Sequence, residues 1–260
     1  MRPHILLTND DGVFAPGIQH LWNLLKEMAE ITIVAPASDQ SGVGMCITTR
    51  TPLRLEKVEW PQASSVWSIS GTPADAVKLG LNKVVHQRPD IIISGINRGT
   101  NAGRNVLYSG TIGAAIEGVM HGIPSIAFSC WDSVDPDYLP TGGYIPRLVH
   151  YILENPMPTG TFLNVNFPSK KFGEIKGVKM VRQGKELWME DPKERSHPIE
   201  RNNYFWLGAK LMEFDDEHAE SDIIWLKKGY VTVVPVHVGE LTDHHHLQSQ
   251  KNILEDLFNF

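Results

Sequence analysis

The sequence contains little cysteine and no long apolar run. Cys46 and Cys130 are the only cysteines among 260 residues, too few for a disulfide framework or a cysteine zinc site. No uninterrupted apolar run approaches the roughly 20 residues that a membrane-spanning helix needs, and no signal-peptide pattern precedes the first strand. The formal net charge of −6 argues against a broad nucleic-acid-binding face. We therefore expect a cytoplasmic protein that binds neither a membrane nor a nucleic-acid polymer.

Two common nucleotide-binding motifs are also missing. The chain has no Walker A sequence and no G-x-G-x-x-G after its first apolar run, which argues against a P-loop ATPase and a Rossmann dehydrogenase. The first apolar run ends in Asp10, Asp11 and Gly12 rather than in D-x-D. This spacing argues against a covalent aspartyl-phosphate intermediate.

What is present is an alternation of short apolar runs and amphipathic segments. A strand over 5–7, a helix over 16–30 and a strand over 31–35 predict a βαβ unit, hence parallel strands with a right-handed crossover. A strand or hairpin is predicted over 46–60. Further strands are predicted over 66–70, 90–94, 123–129 and 162–167, and helices from Thr72 and over 111–121 and 144–153. The pattern predicts a Rossmann-like, doubly wound α/β core with a mainly parallel sheet over residues 1–168.

The composition changes after Pro168, so residues 169–260 are predicted to form a C-terminal extension. Strands are predicted over 176–182 and 230–236, and a terminal helix over 248–258. Between the strands, residues 183–229 are charged and aromatic, which favours a β-hairpin or arm that contacts another subunit. A mobile lid is the alternative. The aromatic content predicts a homo-oligomer, because monomers rarely expose large apolar patches.

Two adjacent carboxylates, Asp10 and Asp11, follow the first buried strand. Burial and mutual repulsion raise the pKa of each carboxyl, and a bound cation would remove both penalties. The alternative is that Asp10 and Asp11 form a turn and cap the next helix, with Gly12 at positive φ. The pair by itself leaves both interpretations open.

Three polar loops, over residues 8–12, 38–44 and 95–111, follow predicted parallel strands and are expected to meet at one edge of the sheet. They carry carboxylate, hydroxyl and amide oxygens, which favour Mg²⁺, Mn²⁺ or Ca²⁺ over structural zinc. Ser109, Gly110 and Thr111 begin a helix, where backbone N–H groups can bind an anion. Alternatively, Ser109 and Thr111 cap that helix. A cation beside an anion site suggests phosphoryl chemistry.

Three blocks, ILLTNDDG, SGTPADAVKLGL and SGINRGTNAGRNVLYSGTIGAAIEG, resemble the SurE family of stationary-phase survival proteins. They span Ile5 to Gly118, and the C-terminal PVHVGELTDH fits the family as well. The resemblance implies a Rossmann-like core with a C-terminal extension that makes homodimer or homotetramer contacts. It also implies a cytoplasmic, metal-dependent 5′(3′)-nucleotidase that acts on nucleoside monophosphates, with short polyphosphate as a further substrate of some members.

The resemblance further implies a set of metal ligands. The family's adjacent aspartates correspond to Asp10 and Asp11, its loop serine to Ser41 and its loop asparagine to Asn97. They would hold one divalent ion, Mg²⁺ or Mn²⁺, with Ca²⁺ as an alternative occupant. Asp10 and Asn97 are counted among the catalytic residues too.

The phosphate site and the acid/base pair also come from the resemblance. The family's phosphate-binding S-G-T corresponds to Ser109, Gly110 and Thr111, with Asn101 beside it. An aspartate and a histidine four residues later correspond to Glu240 and His244, so this chain has Glu where the family has Asp.

We expect direct, metal-assisted hydrolysis in which His244 passes a proton to the leaving ribose oxygen. One other class is a nucleotide sensor with a degenerate site, against which the four intact ligands argue. Another is a metal-dependent deacylase on a similar core, against which the S-G-T anion site argues.

Overall fold

The computed structural model describes residues 2–63, 65–189, 191–207 and 210–258. Its main element is a nine-stranded, mostly parallel sheet covered by helices, which confirms the predicted α/β class. In chain order the first elements are β1 (His4–Thr8), α1 (Pro16–Leu25), β2 (Glu30–Pro36), β3 (Leu55–Lys57), β4 (Val66–Ile69), α2 (Pro73–Leu79), β5 (Ile91–Arg98), α3 (Gly110–Met120), β6 (Ser125–Cys130), α4 (Ile145–Glu154) and β7 (Thr161–Phe167).

The later elements include several short strands. They are β8 (Val178–Met180), β9 (Leu187–Met189), β10 (Lys193–Ser196), β11 (Asn203–Trp206), β12 (Lys210–Met212), α5 (Asp222–Lys227), β13 (Val231–His237) and α6 (His244–Asp256). The order in the main sheet is β3-β4-β2-β1-β5-β6-β7-β13-β8. In this sheet order, the six strands β4, β2, β1, β5, β6 and β7 are parallel to one another. At the two sides of this group, β3 runs antiparallel to β4 and β13 runs antiparallel to β7. The extension after residue 168 therefore contributes two strands to the same sheet.

The sheet has a hydrophobic layer on each face, because adjacent residues of a strand point to opposite sides. In β1, Ile5 and Leu7 pack in the cluster that contains the buried faces of α1 and α4. Leu6 packs on the other side with Ala76 and Val77 of α2. With both faces covered, the strands contain continuous apolar runs rather than alternating ones.

The local signals for helix ends are confirmed at α2. The Thr72 hydroxyl accepts the N–H of Asp75, and the Asp75 carboxylate accepts the N–H of Thr72, so the two form a capping box with Pro73 in the first turn. Two predicted helix bounds are corrected. Helix α1 ends at Leu25, not at residue 30, because Glu30 already pairs with His4 in the sheet. Helix α6 starts at His244, because the Asp243 carboxylate caps it by accepting the N–H of His246.

The predicted arm contains two small antiparallel sheets, β9 with β12 and β10 with β11. All eight residues of β10 and β11 are exposed. Helix α6 buries none of its residues. Among the residues that the structure describes, every helix is too short or too polar to cross a membrane.

Candidate functional site

The three polar loops meet at the carboxyl edge of the sheet, where β2, β1 and β5 lie side by side. Between them lies a cleft of about 400 Å³. It is lined by Asp10, Ser41, Gly42, Asn97, Arg98, Thr100, Asn101, Asn105, Tyr108, Ser109, Trp188 and Leu207. A larger hollow of about 640 Å³ lies along β8 and β13, but it contains neither the paired carboxylates nor a helix N-terminus.

Asp10 is the most deeply buried acid of the cleft, with 3% of its surface exposed. Its Oδ1 accepts a 2.6 Å hydrogen bond from the Thr111 hydroxyl, and its carbonyl oxygen accepts the N–H of Gln40. Burial raises the pKa of Asp10 to about 6, the Thr111 bond opposes that rise, and the neighbouring Asp11 adds to it. Asp10 therefore joins all three features: the strand end, the second loop and the helix start.

Asp11 lies beside the guanidinium of Arg98. The Arg98 Nε donates to Asp11 Oδ1 at 2.8 Å, and its Nη2 donates to Asp39 at 2.9 Å. Asp39 in turn accepts both the N–H and the hydroxyl of Ser41. Burial raises the pKa of Asp11, while Arg98 opposes that rise. The loop containing Ser41 is thus tied to Asp11 through a chain of charged groups.

The interpretation of Asp10 and Asp11 as caps of α1 does not hold. The N-cap of α1 is Ala15, and no side chain bonds to that helix end. Gly12 has φ of +106°, as the turn prediction requires. The two carboxylates therefore do not cap the following helix: Asp10 lines the cleft and accepts from Thr111, whereas Asp11 accepts from Arg98.

Asn97 lies at the end of β5, and Asn101 lies on the loop that follows. Asn97 donates from Nδ2 to the carbonyl oxygen of Gly99 at 2.8 Å, which leaves its Oδ1 without a donor among the described residues. Asn101 donates from Nδ2 to the Ser129 hydroxyl at 2.7 Å, and its N–H donates to Asn166. Both side chains line the cleft, and both are held in one orientation by these bonds.

The start of α3 meets Asp10 directly. Ser109 is the N-cap and accepts the N–H of Ile112, so it does cap the helix, whereas Thr111 donates its hydroxyl to Asp10. A Cβ on Gly110 would lie 2.9 Å from the Cβ of Asp10. Glycine at this position lets the helix N-terminus approach the carboxylate closely, which places backbone N–H groups beside the acid pair.

The donor set of the cleft fits a hard divalent cation. Asp10, Asp11, Ser41 and Asn97 bring two carboxylates, a hydroxyl and an amide oxygen to neighbouring loops. In the described part of the chain, no group of three or more His, Cys, Asp or Glu side chains is placed to hold a metal ion. A cation here would thus depend on the acid pair plus neutral oxygens, ligands that Mg²⁺, Mn²⁺ and Ca²⁺ accept. It would also offset the burial that raises the pKa of Asp10.

Glu240 and His244 are not brought to this cleft within one chain. Strand β13 runs antiparallel to β7, so its end at His237 lies opposite Thr161, at the amino edge of the parallel strands. Glu240 and His244 follow from there and interact with each other at 3.3 Å, with both side chains exposed. The sequence spacing of four residues is therefore realised as a contact, at the opposite edge from Asp10.

Sequence reasoning did not assign a role to Arg98, Tyr108, Trp188 or Leu207, all of which line the cleft. Arg98 is not simply a solvated loop charge, because it pairs with Asp11. Trp188 and Leu207 belong to the aromatic arm, whose position beside the cleft depends on long-range contacts.

The parallel sheet, the acid pair at its carboxyl edge and the adjoining helix N-terminus define a Rossmann-like α/β protein with a candidate metal and anion site. The sequence model of the family described as "Survival protein SurE" matches residues 5–190. The chain belongs to this SurE family.

The chain aligns with named relatives over nearly its whole length. It is 55% identical to the 5′-nucleotidase SurE of Protochlamydia amoebophila strain UWE25 over 259 residues, which are 99% of each chain. It is 43% identical to the 5′-nucleotidase SurE of Christiangramia forsetii over 250 residues, 95% of each chain. The crystal structure of the SurE protein from Aquifex aeolicus superimposes with a TM-score of 0.81 at 35% identity, covering 97% of this chain and 100% of that one.

Proposed function

We propose that this protein is a metal-dependent phosphatase that hydrolyses nucleoside 5′-monophosphates to nucleoside and phosphate. The observation that carries the proposal is the 2.6 Å bond from Thr111 to Asp10, because it joins a buried acid pair to a helix N-terminus. The relatives named 5′-nucleotidase SurE share 55% and 43% identity with the chain and support the same activity.

The proposed metal ligands are Asp10, Asp11, Ser41 and Asn97. A Mg²⁺ or Mn²⁺ ion, or Ca²⁺ as an alternative occupant, would polarise the phosphoryl group and lower the pKa of a bound water there. Asp10 must be ionised to bind the ion, and its pKa of about 6 means that it is mostly ionised at neutral pH.

The proposed phosphate site is the start of α3 with Asn101. First-turn N–H groups at Gly110 and Thr111 would bind the equatorial phosphoryl oxygens, where charge accumulates as the bond to the leaving oxygen breaks. Ser109 holds the helix end in place by capping it. In the hydrolysis, the water oxygen forms the new bond to phosphorus, the phosphorus–ribose oxygen bond breaks, and the ribose oxygen receives a proton.

Glu240 and His244 are the proposed acid/base pair for that last proton. Because they lie at the opposite edge of their own sheet, they would serve the cleft of a second subunit. This role therefore requires a homodimer or homotetramer. The unburied helix α6, which begins at His244, favours such an assembly because an isolated helix of 13 residues is marginal in water.

The test is phosphate release from a panel of nucleoside 5′- and 3′-monophosphates and short polyphosphate, with Mn²⁺ and with EDTA. We expect turnover of 5′-monophosphates only with the metal, and slower turnover of the 3′ isomers and polyphosphate. An Asp10→Asn variant should be inactive. Binding without turnover would favour a nucleotide sensor, and hydrolysis of acyl esters instead of phosphate esters would favour a deacylase.

A further inference from the structure

The cleft has two ends of different chemistry. One end carries Asp10 and the amides already described, whereas the other is formed by Tyr108, Trp188 and Leu207. All three of these side chains are strongly exposed, with Trp188 at 45% and Tyr108 at 57%. Tyr108 directly precedes Ser109, so the apolar end adjoins the proposed phosphate site.

Trp188 is held in place by the loop that precedes α3. The backbone N–H of Trp188 donates to Asn105 Oδ1 at 2.8 Å, and the backbone N–H of Arg104 donates to the carbonyl oxygen of Glu186 at the same distance. One step further back, the Gln183 amide donates to the carbonyl oxygen of Gly103. These bonds join three residues of the arm to three consecutive residues of the loop, Gly103, Arg104 and Asn105. These bonds therefore hold the backbone of Trp188 beside the loop, and its side chain lines the cleft.

The rings of Trp188 and Tyr108 are available for stacking. In the described part of the chain, neither Trp188 nor Tyr108 stacks on another aromatic side chain, although six other ring pairs are in contact. Aromatic faces beside a phosphate site suit a planar heterocycle, and stacking on such a ring tolerates any base.

We propose that Trp188, with Tyr108 beside it, forms the nucleobase subsite of the cleft. The inference rests on the proposed nucleotidase function and goes further, because it assigns discrimination between nucleotides and other phosphomonoesters to the arm. The proposed phosphate site at the start of α3 would bind both kinds of substrate. The Trp188 ring would increase the affinity only for the substrate that carries a base.

The experiment compares kcat/KM for AMP and for ribose 5-phosphate, which has the sugar and phosphate but no base. The full-length protein is assayed with Mn²⁺ as wild type, Trp188→Ala, Trp188→Phe and Trp206→Ala. Trp206 is an equally large, exposed side chain of the arm that does not line the cleft, so it is the matched control. Thermal melting confirms that each variant is folded, and light scattering confirms its assembly.

In wild type, we expect AMP to be preferred over ribose 5-phosphate. Trp188→Ala should reduce that preference about 5- to 150-fold, the equivalent of 1–3 kcal/mol for one stacked base. Trp188→Phe should retain most of it, because a ring face remains, and Trp206→Ala should leave it unchanged.

Three outcomes would overturn the proposal. The first is no preference for AMP in wild type, and the second is an equal fall on both substrates in Trp188→Ala, which would make Trp188 a purely structural residue. The third is a fall in preference that Trp206→Ala reproduces. If wild type hydrolyses neither phosphomonoester, the proposed function itself fails, and that result is distinct from the other three.

Discussion

The Thr111 hydroxyl donates a 2.6 Å hydrogen bond to Asp10 Oδ1 and so links the end of β1 to the first turn of α3. Both residues are buried, Thr111 completely. A hydrogen bond to an ionised acceptor is about twice as strong as a neutral one, so this bond stabilises the carboxylate over the carboxylic acid. Thr111 thereby opposes the burial that raises the pKa of Asp10.

The first prediction concerns this bond. Thr111→Val keeps the shape of the side chain but removes the donor, so the pKa of Asp10 should rise further above its ordinary value. Mn²⁺ affinity at pH 7, measured by isothermal titration, should fall by up to about tenfold, because a larger fraction of Asp10 is protonated and must ionise before it binds the ion. Thr111→Ser, which keeps the hydroxyl, is the control. Equal affinity in all three proteins would show that Thr111 does not tune the ligand.

The second prediction concerns pH and the stability of the metal-free protein. The pKa of Asp10 is raised from 3.8 to about 6, so folding favours its protonated form, and that stability is lost as pH rises through about 6. Asp10→Asn removes this dependence. In EDTA, the variant should gain on the order of 3 kcal/mol over wild type at pH 7, from about two pKa units at 1.36 kcal/mol each. The gain should vanish below pH of about 4, as urea unfolding across pH would measure.

Asp222 is the matched comparison for that experiment. Burial raises its pKa to about 6 as well, but its two oxygens accept the N–H groups of Gly103, Gly184 and Ile223 and the amide of Gln183. Asp222→Asn would place an NH₂ group against these donors. We expect it to destabilise the protein by about 1–3 kcal/mol at pH 7. A stabilised Asp222→Asn would contradict this account of both acids.

The third prediction concerns the exposed hairpin β10–β11. The N–H of Asp191 donates to the carbonyl oxygen of Leu207 at 2.9 Å, so the two are close enough to be joined by a two-residue Asn-Gly turn in place of residues 192–206. The core should stay folded, because β10 and β11 bury none of their residues. If the hairpin is a subunit contact, light scattering should show a smaller particle than wild type. An unchanged mass would assign assembly to another surface, of which α6 is the first candidate.

The fourth prediction tests whether His244 acts in the cleft of a second subunit. Asp10→Asn and His244→Ala should each be inactive or strongly impaired as separate preparations. Unfolded together and refolded as a mixture, they should regain part of the wild-type kcat, because mixed assemblies contain a cleft with an intact Asp10 and a second chain's intact His244. No recovery, although mixed assemblies form, would mean that His244 serves no other subunit.

Some of the fold and the site follows from short stretches of sequence. The capping box at Thr72, the strand that ends in Asp10 and Asp11, and the Ser109 cap each depend on residues within three or four positions of one another. Element bounds were less predictable where a distant strand sets them. Helix α1 stops at Leu25 because β2 must reach its register beside β1.

The sequence by itself thus determined the α/β class and the acid pair at a strand end, because both depend on local periodicity. The close approach of α3 to Asp10 at Gly110 depends instead on the tertiary structure. Only the tertiary structure decided that Arg98 pairs with Asp11, that Asn105 holds Trp188, and that Glu240 and His244 lie at the far edge of the sheet. Those relationships depend on which strands are neighbours and in which direction β13 runs. Strand order and direction are set by the packing of the whole sheet, which no local pattern encodes.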